Sequence, residues 1–188
     1  MLTVPSQKFI VDDSIDLVTL LKELVGDANF EAATEQKTVF FSCKLKDAVI
    51  STHKDLLHKT FENIIRTGVH YTNTNTNTNT TVRVSLSASK SASDTDTDTD
   101  TDTDTDTDTD TENFTVRVED EGPGVPEEDL SKLFDSFYRV DAARQRDTGG
   151  YGLGLSIARR AVVQHGGVII AENTSGGLAI MESLPQQK

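Results

Sequence analysis

Residues 120–155 read DEGPGVPEEDLSKLFDSFYRVDAARQRDTGGYGLGL. The strand-forming run FTVRV, Phe114 to Val118, leads into this stretch and meets a Gly-Pro-Gly turn. A short helix closing on Phe134, Phe137 and Tyr138 is expected next. A polar segment carrying arginines, a glycine-rich loop and a new helix follow. That order suggests a nucleotide pocket with a wall, a floor, a flexible cover and a phosphate cradle.

Phe114, Val116 and Val118 share one parity and so one face of a strand, and Asp120 continues it. A carboxylate pointing the way of core side chains is costly unless a donor meets it. Two readings stand. An exocyclic amine such as that of adenine supplies the donor, or the aspartate bonds its own backbone within the DEGPG turn. Gly149, Gly150, Gly152 and Gly154 crowd the far end, and Leu155 opens an apolar helical pattern. Glycine lets backbone approach a ligand closely, and the amides opening a helix attract phosphate. Ser156 adds a hydroxyl in that first turn. A lone glycine loop reads equally as a mobile surface turn. Two glycine boxes bracketing an aromatic box are far more specific.

A length of 188 residues suits one domain with its own core, residues 1–188. The net charge of −13 argues against nucleic acid or an anionic membrane surface as the main partner. Nine of the acids fall in the Asp-Thr run at 94–111, and without them the charge is −4. That run, within an insertion at 88–111, lacks the glycine-punctuated spacing of a calcium loop. With the Asn-Thr tract at 73–80 it is expected to be solvated and disordered. Cys43, the sole cysteine, has no internal partner and reads as a buried small hydrophobe. No apolar run approaches membrane-spanning length and no leader pattern is present, so a soluble, cytoplasmic domain is expected.

Along the chain, residues 1–12 read as a lead-in with a short strand. Asp13 or Ser14 is placed to cap a helix running to about Thr34, whose apolar stripe is Leu17, Leu20, Leu21, Leu24 and Ala28. Val39, Phe41, Cys43 and Leu45 alternate as a strand, and Ala48 to Ser51 offers another. Lys54 to Tyr71 is expected as a helix buried through Leu57, Phe61, Ile64, Ile65 and Val69. Its interior Gly68 costs roughly 1 kcal/mol relative to alanine, which signals close packing or a relaxed constraint. TVRVSL and ENFTVRV pair as a hairpin with an expanded tip between Ser87 and Glu112, tolerable because loop closure grows only logarithmically with length. Leu155 to His165 is a third helix facing inward through Ile157, Ala158, Ala161 and Val162. VIIAEN and LAIMESL finish as strands. The sum is an α+β two-layer sandwich, a mixed sheet of about five strands with three long helices on one face.

The DEGPG, LFDSFYR and GGYGLGL boxes resemble the G1, F and G2 boxes of sensor histidine kinases, the ATP-binding catalytic domains of the GHKL (Bergerat-fold) superfamily. ENIIRTGVHYT, Glu62 to Thr72, is similar to their N box in altered form. The likeness runs from about Ser14 to Pro185 outside the low-complexity tracts, nearest to envelope-stress, Cpx-type kinases. It implies ATP and Mg²⁺ as cofactors. It gives Asp120 the adenine amine, with Gly122, Gly124 and Val125 shaping the turn beside the base. The loop Gly150, Gly152, Leu153, Gly154 and Leu155 falls around the phosphates. Asn63 and Thr67 take the catalytic, Mg²⁺-binding positions, and Thr67 stands where the family carries a second asparagine. Arg66, His70, Tyr71, Phe137 and Arg139 complete the implied ATP contacts. Arg139, Arg144 and Arg146 on the cover contact phosphate or are simply solvated. His70 replaces a usual lysine or arginine and reads equally as a histidine at a helix C-terminus. Phe134, Phe137 and Tyr138 read as packing rather than base-stacking residues.

The implied reaction moves the ATP γ-phosphoryl to a histidine on a separate dimerisation domain. None of His53, His58, His70 or His165 lies in the His-Glu-x-x-Ser/Thr-Pro setting of that nucleophile, so the phosphoacceptor and membrane domains are expected outside this chain. The implied partners are that domain and a response regulator. A homodimer is expected only in the full-length protein, at a bacterial inner membrane. A degenerate nucleotide-binding module acting as a regulatory docking surface is the alternative. Chaperone and mismatch-repair ATPases need a glutamate where Asn63 stands, and anti-sigma serine kinases fit the FYR box less well.

Overall fold

The computed structural model describes residues 13–72, 80–90, 112–140 and 152–186. The lead-in, most of the Asn-Thr tract, the Asp-Thr run and the cover at 141–151, with Arg144, Arg146 and Gly150, lie outside the described residues.

The described residues begin with β1 (Asp13–Asp16), then α1 (Leu17–Ala32) and a 3₁₀ turn at Ala33–Glu35. Next come β2 (Lys37–Cys43), β3 (Val49–Thr52) and α2 (Lys54–Tyr71), whose bounds are those the apolar stripe predicts. The remainder is β4 (Thr80–Lys90), β5 (Glu112–Glu119), a 3₁₀ helix at Glu127–Phe134, α3 (Gly154–Gln164), β6 (Val168–Asn173) and β7 (Leu178–Pro185). Among the described residues no helix is long and apolar enough to cross a membrane.

Five strands form one mixed sheet in the order β2-β4-β5-β7-β6. Only β2 runs parallel to its neighbour, with Val39 opposite Val82 and Phe41 opposite Val84. The β4–β5 hairpin holds the expected pairing and continues to Lys90 opposite Glu112, further than the predicted tip. β1 and β3 make a separate antiparallel pair. That pairing explains why the cap of α1 is Asp16, not Asp13 or Ser14. The first three positions are spent on strand, and the Asp16 carboxylate accepts from the amides of Val18, Thr19 and Ala48.

The helices pack on one face of the sheet, giving the two-layer α+β sandwich. Leu17 and Leu21 of α1, Phe61, Ile64 and Ile65 of α2, Val82, Val84 and Val116 of the sheet, and Val162 of α3 are essentially solvent-free. Each such side chain contributes about 1.5–3 kcal/mol by burial. Gly68 explains itself here: a Cβ would lie 3.2 Å from Val82 Cγ1 and 3.4 Å from Val118 Cγ1, so α2 rides unusually close to the sheet. Three expectations need correction. Ile157 is 45% exposed, because the buried stripe of α3 is the narrow run Ala158, Ala161, Val162 and Ile157 sits at its margin. Cys43 is half-buried at the last position of β2, its sulfur accepting from the Leu45 amide. Phe137 is 71% exposed in a left-handed turn (φ 66°), whereas Phe134 is buried as expected.

Candidate nucleotide-binding site

One face of α2 supplies the first wall of an open pocket of about 300 Å³. Asn63, Arg66, Thr67 and His70 are spaced i, i+3, i+4 and i+7, so they align as a polar stripe, with Tyr71 beside them. The opposite wall is Gly152, Leu153, Gly154 and Leu155, entering α3, and Leu133, Tyr138 and Arg139 close the side. The described lining carries the guanidiniums of Arg66 and Arg139 and no carboxylate, a balance suited to an anion. Arg66 pairs loosely with Glu62, at 3.9 Å.

The glycine wall is fastened to the aromatic box. The Phe137 amide donates to the Gly152 carbonyl at 2.9 Å. Gly152 has φ 71°, and a Cβ there would lie 2.9 Å from the Tyr138 carbonyl oxygen, so both conformation and crowding demand glycine. Gly154 stands opposite Asn63, its missing Cβ 3.6 Å from Asn63 Cβ. The Ser156 hydroxyl donates to the Leu153 carbonyl and stays within its own turn.

On α2, the Thr67 hydroxyl donates to the Asn63 carbonyl at 2.6 Å. His70 turns Nε2 into a buried position without a hydrogen-bond partner among the described residues, and its ring meets Tyr71 edge-on at 5.0 Å. The end of this helix is anchored by buried Lys37, whose ammonium donates to the Val69 carbonyl at 2.8 Å and pairs with Glu35 at 2.7 Å. That hydrogen bond from Lys37 holds the Glu35 carboxyl below its ordinary range.

Asp120 is 5% exposed, on the buried side with Phe114, Val116 and Val118, as parity predicts. Its Oδ1 accepts from the amides of Gly122 (2.8 Å) and Leu178 (3.1 Å), so the turn-forming reading is realised as well. Burial pushes its carboxyl above the usual range, while the two backbone bonds pull the other way. Asp120, Gly122, Gly124, Val125 and Phe137 do not line the open pocket. The first four form a turn behind Tyr71, where a Cβ on Gly122 would lie 2.6 Å from the Tyr71 carbonyl oxygen.

Leu133 and Tyr138 line the pocket and were not foreseen as site residues; the aromatic box that holds them was the available signal. Asn173 was missed altogether. From the end of β6 its side chain accepts from the Val125 amide at 2.9 Å and donates to the Val125 carbonyl at 2.7 Å, pinning the DEGPGV turn. The two residues are 48 apart in sequence, so no local pattern reveals the pairing.

The family model described as histidine kinase-, DNA gyrase B-, and HSP90-like ATPase matches residues 52–188, a span that takes in both walls of the pocket. The chain belongs to this ATPase family. Sensor histidine kinase CpxA of Escherichia coli (strain K12) is 30% identical over 180 residues, covering 95% of this chain and 34% of that protein. The chain thus spans about a third of that relative's length. The nucleotide-free catalytic domain of histidine kinase ThkA superposes with a TM-score of 0.67 at 20% identity, over 93% of this chain and 95% of that one. ThkA in complex with response regulator protein TrrA gives 0.63 at 19%, over 93% and 42%. Full-length ShkA in complex with AMPPNP gives 0.66 at 20%, over 92% and 30%. These solved structures share the overall fold of this ATPase-family member.

Proposed function

We propose that this chain binds Mg-ATP between α2 and the Gly152–Leu155 loop and serves as the catalytic domain of a two-component sensor histidine kinase. The observation that carries the reading is the juxtaposition of Asn63, Thr67 and His70 with the glycine-rich entry to α3, in a pocket whose described lining has no carboxylate. The first-turn amides of α3 and the guanidiniums of Arg66 and Arg139 hold the phosphates. Asp120 Oδ1 is committed to backbone donors, so Oδ2 is the oxygen assigned to the adenine amine.

The residues present fit a Mg²⁺ ion in a sparse way. Among the described residues no three His, Cys, Asp or Glu side chains gather to hold a metal. Asn63 and Thr67 offer two neutral oxygens on one face, and because the Thr67 proton points at the Asn63 carbonyl, its lone pairs remain for a cation. Mg²⁺ characteristically takes few protein ligands and completes its shell with phosphate and water. When bound, it would neutralise charge on the transferring phosphoryl group. The chain's own part is to orient the triphosphate and exclude water. The acceptor histidine belongs to a separate dimerisation domain, with a response regulator downstream; ThkA, of the same fold, has been solved with such a regulator.

Asn63 cannot act as a base, which favours this reading over a hydrolytic ATPase clamp. The single hydroxyl at Thr67 favours one second reading, a module with weakened Mg²⁺ coupling that acts as a regulatory docking surface. Calorimetric titration with ATP, with and without Mg²⁺, tests binding. Addition of purified phosphoacceptor domain and radiolabelled ATP then tests transfer. Absence of binding heat sinks the first statement; binding without transfer selects the docking module.

A further inference from the structure

Glu182 lies on β7 opposite Val116 of β5 and Ile169 of β6, with its side chain on the helix-covered face. It is 1% exposed, and neither carboxylate oxygen has a hydrogen-bond partner among the described residues. Beside it is a void too small to seat a water molecule, walled by Leu57 and Thr60 of α2, by Ala161 and Val162 of α3 and by His165 at the end of that helix. The polar groups of that wall are turned elsewhere. Thr60 donates its hydroxyl to the Leu56 carbonyl at 2.8 Å. The His165 ring meets the Ala161 carbonyl at 2.7 Å and the Thr52 hydroxyl. His165 is the other titratable group in the described lining; α2, β5 and β6 present no charge there.

A carboxylate cannot shed its proton in such a place without water or a cation reaching it. We propose that Glu182 is a proton-controlled latch: neutral, it keeps β7 seated beneath α2 and α3, and ionised, it admits water to the void and loosens both helices. Those helices carry Asn63 and Thr67 on one side and Gly154 and Leu155 on the other, so the latch also governs the pocket. That last consequence rests on the nucleotide reading above. Burial pushes the Glu182 carboxyl up to about 8. The folded value lies above the unfolded one, so the stability tied to this proton is complete below the ordinary carboxylate range and is lost as pH rises to about 8.

The test uses the whole chain. Carbon-13 NMR of the side-chain carboxyls should place Glu182 near 8; titration close to the usual ~4.3 would overturn the latch, and this readout needs no variant. Urea denaturation from pH 5 to 8 should show the parent's unfolding constant rising relative to Glu182→Gln by up to ~10-fold per pH unit, as one retained proton requires. Parallel profiles for parent, Glu182→Gln and Glu182→Leu would refute it. Amide exchange across 57–67 and 154–164 should be faster in the parent than in Glu182→Gln at pH 8.5 and equal at pH 6; equal rates at both would refute the loosening. ATP affinity should fall between pH 6 and 8.5 more in the parent than in Glu182→Gln. An identical fall overturns the link to the pocket, whereas no ATP binding by any chain discards the nucleotide reading and leaves titration and exchange to decide the latch.

Discussion

Asp120 and Glu182 both follow the inward parity of central strands, both are buried, and burial raises both carboxyls. They differ in what meets them. Asp120 stands at the end of β5, where the chain turns, and two amides reach its Oδ1. Glu182 stands mid-strand on β7, paired on both sides by β5 and β6, and among the described residues no hydrogen-bond partner reaches it. Turn geometry therefore supplies a buried acid with backbone donors, whereas the sheet ladder leaves one without them. The same residue chemistry yields a carboxylate tied into a turn in one place and a carboxyl without a hydrogen-bond partner among the described residues in the other.

The sharpest way to break this contrast is at Gly177, which is buried against the Asp120 turn. A Cβ there would run into the Asp120 carbonyl oxygen and lie 2.7 Å from the Gly122 nitrogen. Gly177→Ala should cost about 3 kcal/mol or more in urea unfolding, because backbone must move. Glu182→Leu should act in the opposite direction, stabilising the fold by roughly 2–4 kcal/mol at pH 8 and by much less near pH 4.5, since the raised carboxyl destabilises only where the unfolded chain has ionised. Asp120→Asn keeps an oxygen for the Gly122 and Leu178 amides. It should leave stability within about 1 kcal/mol while lowering ATP affinity roughly 10- to 100-fold, read by calorimetry. Unchanged affinity would remove Asp120 from the site. Thr67→Asn should have the smallest effect, a gain of about threefold in the Mg²⁺ enhancement of ATP binding, by the ligand logic of a longer, more strongly coordinating amide. An unchanged ratio would show that Thr67 is not part of the cation's surroundings.

Periodicity made α2 legible to the residue, since Leu57, Phe61, Ile64 and Ile65 leave one register only, and it made the β4–β5 hairpin legible through Val82, Val84, Val116 and Val118. The polar stripe opposite that buried face then placed Asn63, Thr67 and His70 on a common wall. Long-range pairings were not legible. Nothing local tells that β2 joins the sheet parallel to β4 across an intervening helix, or that Asn173 reaches Val125. Asp16 was missed as a cap because β1 exists only through its pairing with β3. Glu182 was legible in principle: it shares parity with Ile180 and Leu184 in LAIMESL, and an acid at an apolar parity position is the signal that was passed over.

The bond from Phe137 to Gly152 has one more consequence. It holds the two ends of the intervening stretch a fixed few ångströms apart, whatever lies between them. It also ties Tyr138 and Gly152, both on the rim of the pocket, into one unit, so a change that displaces either displaces the other.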